Sequence, residues 1–157
     1  MSDIVNKSWD GRLSDGLRDR IEVELRRLGL VAERKVMDEI DAQGLSAFGD
    51  LRASQTHSVS ADPGAMTLSF GPSAAHAPYR FYGLDPGTWP PPEPLAAWAE
   101  IKLGVGSDES DSVAFLIGRK IFRQGTEGAD FLSDPSAEVE DEATERLEAV
   151  ITKHLRR

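Results

Sequence analysis

The chain has no cysteine among its 157 residues. Disulfides and thiolate metal sites are therefore excluded. Histidine is scarce as well: His57, His76 and His154 stand far apart and share no ligand spacing, so no zinc site is expected and no metal ion. Long apolar runs are missing, so no segment reads as a bilayer span, and the polar start MSDIVNKSWD lacks the apolar middle of a signal peptide. The expectation is a protein that stays in the cytoplasm of the cell that makes it, with no membrane partner. Gly104-Val105-Gly106 lacks the third glycine of a dinucleotide loop and follows a predicted helix rather than a strand. There is no Walker lysine and no Gly-x-Ser-x-Gly elbow, and Asp108-Glu109-Ser110-Asp111 lacks the glycine of a calcium loop. No cofactor and no catalytic residue are expected. Positive charge is also short, with 18 Lys and Arg against 27 Asp and Glu, a net charge of −9. Such a chain has no general affinity for nucleic acid, where binding is dominated by neutralising phosphates.

The acid is unevenly placed. Bases slightly outnumber acids between positions 12 and 35, whereas Asp134, Glu138, Glu140, Asp141, Glu142, Glu145 and Glu148 crowd the C-terminal part. This run admits two readings: a solvated helix face, or an acidic surface that repels a passing polyanion or docks a basic partner.

Hydrophobic spacing outlines an α+β fold. Residues 1–9 read as a flexible arm and 10–157 as one α+β domain, a size that supports one modest core. From about Asp10 to Ala42, apolar residues from Leu13 through Leu25 and Leu28 to Ile40 recur every three or four positions, predicting a long N-terminal helix that Gly29 interrupts. The segments 54–61 and 65–70, joined by Asp62-Pro63-Gly64, predict a β-hairpin, and Ala77–Tyr82 a third strand of a small antiparallel sheet. Two central helices follow, one opening near Pro94 and closed by Gly104, the other from about Asp111 to Gln124 closed by Gly125. The C-terminal helix is predicted to start at a capping Asp134 with Pro135 in its first position.

Two features suggest a surface that needs covering. Tyr79, Phe81, Tyr82 and Trp89 lie on a turn-rich stretch ending in Pro90, Pro91 and Pro92, and prolines stiffen such a loop before it binds anything. On the helix from Asp111, apolar residues including Ile117, Gly118 and Ile121, together with Phe115 and Phe122, span about half the circumference, wider than a one-sided surface helix needs. Either that helix is buried within the monomer or its Phe115 and Phe122 side meets another subunit. Trp89 and Trp98 carry the same two alternatives.

Three stretches resemble a known family. Gly49-Asp50-Leu51-Arg52-Ala53-Ser54 resembles the glycine, x, leucine, arginine, x, serine element that precedes the hairpin in tail-completion and head-tail joining (minor tail) proteins of long-tailed bacteriophages. Ala77-Pro78-Tyr79 through Gly83 and on to Trp89-Pro90-Pro91-Pro92 resembles that family's aromatic loop. Leu95-Ala96-Ala97-Trp98 with Lys102, then Ala114 to Ile121 and Gly125-Thr126, resembles its paired helices and their glycine-threonine stop. The resemblance covers residues 15–156 in order; the chain departs from it at Phe81-Tyr82-Gly83, where many members carry glutamate before the glycine. It implies a non-enzymatic virion component made in the host cytoplasm, forming a ring at the head-tail neck or in the tail, commonly sixfold. Its implied partners are copies of itself and neighbouring neck, connector or tail-tube proteins, with DNA passing nearby unbound. Terminating the tail tube is a neighbouring job in the same family, and a cytoplasmic binding adaptor is the alternative outside it.

Overall fold

Leu17, Ile21, Leu25, Leu28, Ala32, Val36 and Ile40 are all buried, and their spacing winds Asp15–Ala42 into one uninterrupted helix, α1. The computed structural model describes residues 2–8, 14–45, 49–62 and 64–156; the expected helical start at Asp10 to Leu13 lies outside them. Gly29 does not break α1 as expected. It is buried, and a Cβ placed there would come within 2.1 Å of His57 Cδ2. The glycine makes room for the strand that carries His57, whose ring occupies the space a side chain would take. Beside this contact His57 Nδ1 is 2.8 Å from Glu33 Oε1, a pair that ties helix to strand.

A four-residue helix, α2 (Asp50–Ala53), leads into strands β2 (Gln55–Asp62) and β3 (Ala65–Pro72). They form the expected antiparallel hairpin, with Asp62 opposite Ala65 and Val59 opposite Leu68, although Pro63 of the predicted turn lies outside the described residues. Met66, Leu68 and Phe70 alternate along β3 and point into the core. The third strand is not where it was expected. It is β1 (Ser2–Ser8), antiparallel to β3 on the side away from β2, so the order is β1-β3-β2 and the segment read as a flexible arm is an edge strand. Ala77–Tyr82 is instead a helical turn, α3, because Pro78 in its first turn supplies the right φ and donates no hydrogen bond there.

Two-residue strands β4 (Gly83–Leu84) and β5 (Thr126–Glu127) pair antiparallel and bracket the next two helices. They cross at a distance only glycine permits: a Cβ on Gly125, at φ +70°, would stand 2.2 Å from the Leu84 carbonyl oxygen. Helix α4 (Pro92–Leu103) starts two residues earlier than predicted, since Pro92 and Pro94 both fall in a first turn whose N–H groups have no intrahelical partner. Helix α5 (Ser107–Gln124) starts four residues earlier, taking up the expected loop, with Asp108 and Glu109 at the positive end of its dipole.

The last helix, α6 (Ser133–Leu155), packs along α1 through Val139, Ala143 and Leu147. Its start is fixed by Asp130 rather than by Asp134. The Asp130 Oδ1 accepts N–H bonds from Leu132 at 3.1 Å and Ser133 at 2.9 Å. Hydrogen bonds from the Ser133 side chain and backbone, followed by that from Leu132, hold the Asp130 carboxyl below its ordinary value. Arg146 of α6 bridges back to α1, donating to Glu24 at 3.1 Å and to Glu142 at 2.5 Å, and these carboxylates push its guanidinium pKa further up. The α+β architecture expected from the sequence is therefore the one observed, with its main core between α1, β3 and α6 and closed by Phe131.

Candidate functional site

Helices α4 and α5 pack on each other and stand outside that core: none of their residues belongs to the main buried cluster. The residues fully buried in their shared seam are small, Ala99, Ser110, Ala114 and Gly118, with Leu95 of α4 packed against Gly118. Small seam residues let two helices approach closely and leave the large side chains to face outward. Phe115 is 55% exposed, Leu116 60% and Ile101 58%, with Leu103 and Phe122 also exposed. At about 25 cal/mol per Å² of apolar surface, so many exposed large residues on one hairpin amount to several kcal/mol left to gain by covering them.

Trp89 sits at the root of this hairpin. Its ring lies 5.7 Å from those of both Phe115 and Phe122, and over Gly118, where a Cβ would meet the ring at 3.4 Å. The loop before it is anchored by the Gly87 N–H donating to the Phe122 carbonyl oxygen at 2.7 Å. Trp89 is thus part hairpin packing and part surface, at 45% exposure. Tyr79 and Tyr82 of α3 are open to solvent, Tyr82 at 80% exposure, while Pro91 is exposed at the start of α4.

Two residues expected on the interface serve the fold instead. Pro90 is buried, and Phe81 is half-buried against the main core with its ring edge-on to Phe131 at 5.5 Å. On a helix of 3.6 residues per turn, Phe81 and Tyr82 point about 100° apart, which sends one inward and the other out. Trp98, Ile117 and Ile121 are half-buried and Lys102 is exposed, so Trp98 belongs in part to the hairpin's own packing.

The glycine-leucine-arginine-serine element is a structural corner. Gly49 takes φ +79° at the start of α2, Leu51 is buried, and Arg52 Nε donates to Asp41 Oδ2 of α1 at 2.8 Å. Ser54 Oγ donates to the Leu51 carbonyl oxygen at 3.0 Å, and the Ser54 carbonyl oxygen accepts from the Ser73 backbone N–H and hydroxyl. The outward Ile101 and Leu103 were missed in the sequence as surface residues, whereas Leu116 falls on the wheel among Arg119, Lys120 and Arg123. The available signal was the number of large apolar side chains on α4 and α5, more than one seam between two short helices can bury.

Exposed charge of one sign clusters at two places, although α4 and α5 also expose Glu93, Glu100, Asp108, Glu109 and Asp111. Lys102, Arg119, Lys120 and Arg123 lie exposed on the hairpin, and none forms an ion pair with a described residue. Asp134, Glu138, Asp141, Glu145 and Glu148, spaced by four, three, four and three positions, form one exposed stripe opposite the buried face of Val139, Ala143 and Leu147. Only Glu138 of this stripe is ion-paired among the described residues, with Lys35 of α1 at 2.5 Å. Among the described residues no three His, Asp or Glu side chains group as a metal site requires, and no helix is long and apolar enough to cross a membrane. Comparison with protein families, with curated proteins and with solved structures finds no match for this chain.

Proposed function

We propose that the protein is a structural component of a phage neck or tail that assembles into a ring, joining or completing the tail around the DNA path. The observation that carries the reading is the α4–α5 hairpin, whose exposed large apolar residues face away from the chain's own core. A ring supplies the missing cover, because each subunit presents one surface to the next through a heterologous contact that closes on itself. Aromatic residues held by packing and prolines lose little further freedom on binding, which suits Tyr82 and Trp89 as anchors. The placement in a virion rests on the motif resemblance, which also makes sixfold symmetry the expected ring and neck, connector or tail-tube proteins the expected neighbours. The net charge of −9 suits a subunit that DNA passes without binding.

Tyr82→Ala tests the reading. Tyr82 lies almost wholly in solvent, so its truncation should change stability by no more than about 0.5 kcal/mol, while head-tail joining and self-association fall at least about tenfold, as truncating an interface anchor does. A chain that stays monomeric at high concentration and is absent from purified virions would refute the proposal.

A further inference from the structure

We infer that the contact closing the ring is made between the α4–α5 hairpin of one copy and the outer, acidic stripe of α6 of the next. The inference rests on the ring reading and assigns that stripe to a neighbouring subunit rather than to the DNA path.

Three observations carry it. The C-terminal half of α5 is basic as well as apolar: Arg119 and Arg123 sit one turn apart with Leu116 one turn before them and Lys120 beside them, all exposed and none ion-paired among the described residues, while the acids of α5, Asp108, Glu109 and Asp111, lie at its other end. The α6 stripe is its complement in sign and period. Asp134, Asp141, Glu145 and Glu148 are exposed and likewise without an ion pair among the described residues, over about 21 Å of helix at 1.5 Å per residue. Ala137, Ala149 and Leu155 are exposed beside it as apolar cover for the hairpin's leucine and phenylalanines.

Within one chain the two surfaces belong to different packing partners, α5 with α4 and α6 with α1. A chain with net charge −9 that keeps three unpaired cations together beside the exposed apolar residues of α5, and four unpaired acids along α6, is matched to itself in trans. Because the surfaces are different, the contact is heterologous, as a closed ring requires. Interleaved charges set the register of two helices, while the aromatic and aliphatic residues contribute most of the affinity.

The test is charge exchange in the full chain, read by sedimentation velocity. Arg119→Glu with Arg123→Glu, and separately Glu145→Lys with Glu148→Lys, should each weaken self-association by about 30-fold, since each replaces two attractions by repulsions. These side chains are exposed and unpaired among the described residues, so circular dichroism should show both variants folded. An equimolar mixture should recover assembly, because the reversed hairpin of one variant then meets the reversed α6 of the other. Raising salt from about 0.05 to about 0.5 M should weaken the wild-type assembly as well.

A second measurement does not depend on charge. The chain has no cysteine, so Leu116→Cys with Glu145→Cys introduces the only two thiols, and mild oxidation should give a ladder of covalent multimers that neither single variant gives. If reversing α6 leaves assembly unchanged while reversing the hairpin abolishes it, the hairpin docks elsewhere and the inference fails with the ring reading intact. Cross-links confined to pairs of position 116 overturn it in the same way. A wild-type chain that never associates and is missing from virions overturns both.

Discussion

Replacing Gly29 by alanine probes the contact between α1 and the His57 ring of β2. By itself the change favours the helix, since alanine is better than glycine in a helix interior by about 1 kcal/mol. Here the new methyl would lie 2.1 Å from His57 Cδ2 and 2.4 Å from Cγ, so the ring as a whole must leave its place. Overpacking of this kind costs about 1–3 kcal/mol. Displacing the ring also breaks the 2.8 Å contact with Glu33, where both side chains are largely shielded, at about 0.5–1 kcal/mol. The net expectation is a loss of about 1–2 kcal/mol, or a fall in Tm of about 2–8 °C for a chain of this size. The sign should reverse once the ring is gone: in a His57→Ala background, Gly29→Ala should stabilise by about 0.5–1 kcal/mol. Urea unfolding of the four proteins, followed by circular dichroism at constant m, gives the coupling directly. If Gly29→Ala is neutral or stabilising in the parent chain, or has the same effect in both backgrounds, the account of this contact is wrong.

Asp130→Ala should remove the cap of α6 and lower stability by about 1 kcal/mol at neutral pH, seen as a lower melting temperature. Because the folded carboxyl is held below its ordinary 3.8, its contribution is present above that value and lost as pH falls through the lowered one, so the gap between parent and variant should close on acidification. Arg146→Ala should cost about 1 kcal/mol, because Glu24 is largely shielded and loses its cross-helix partner while keeping Arg27 at 3.3 Å. Arg146→Lys should recover only part of this, since a single ammonium lacks the fork that reaches Glu24 and Glu142 together. Trp89→Ala should lower both association and the thermal stability of the α4–α5 hairpin, by about 1–2 kcal/mol for a half-exposed aromatic, in contrast with Tyr82→Ala, where melting is unchanged.

What could be read from residue types was what local periodicity controls. The stripe from Leu17 to Ile40 runs over about six turns, and the alternation of Met66, Leu68 and Phe70 is regular, so α1 and the β2–β3 hairpin were both legible. Strand β1 was not. Its sequence, Ser-Asp-Ile-Val-Asn-Lys-Ser, carries little strand signal, and it is extended because the free edge of β3 offers it a ladder, a tertiary cause. The segment 77–82 was too short for period two and period 3.6 to be told apart, and Pro78 was the better guide. At α6, Asp134 was a plausible cap by composition, but the carboxylate that meets the free N–H groups is Asp130, chosen by the approach of the preceding loop. The wide apolar face of α5 was legible as an excess, whereas its division into a small-residue seam and a large-residue outside depends on where α4 lies.

The crossing of β4 and β5 has a mechanical consequence. The described segment between them, from Asp85 to Gly125, returns to the body through two residues on each strand, crowded together at Gly83 and Gly125. A narrow stalk of this kind transmits little cooperativity, so the arm beyond it should open and close without waiting for the rest. Its amides should exchange with deuterium well before those of α1, and a docked neighbour should slow them without altering the rates in β3.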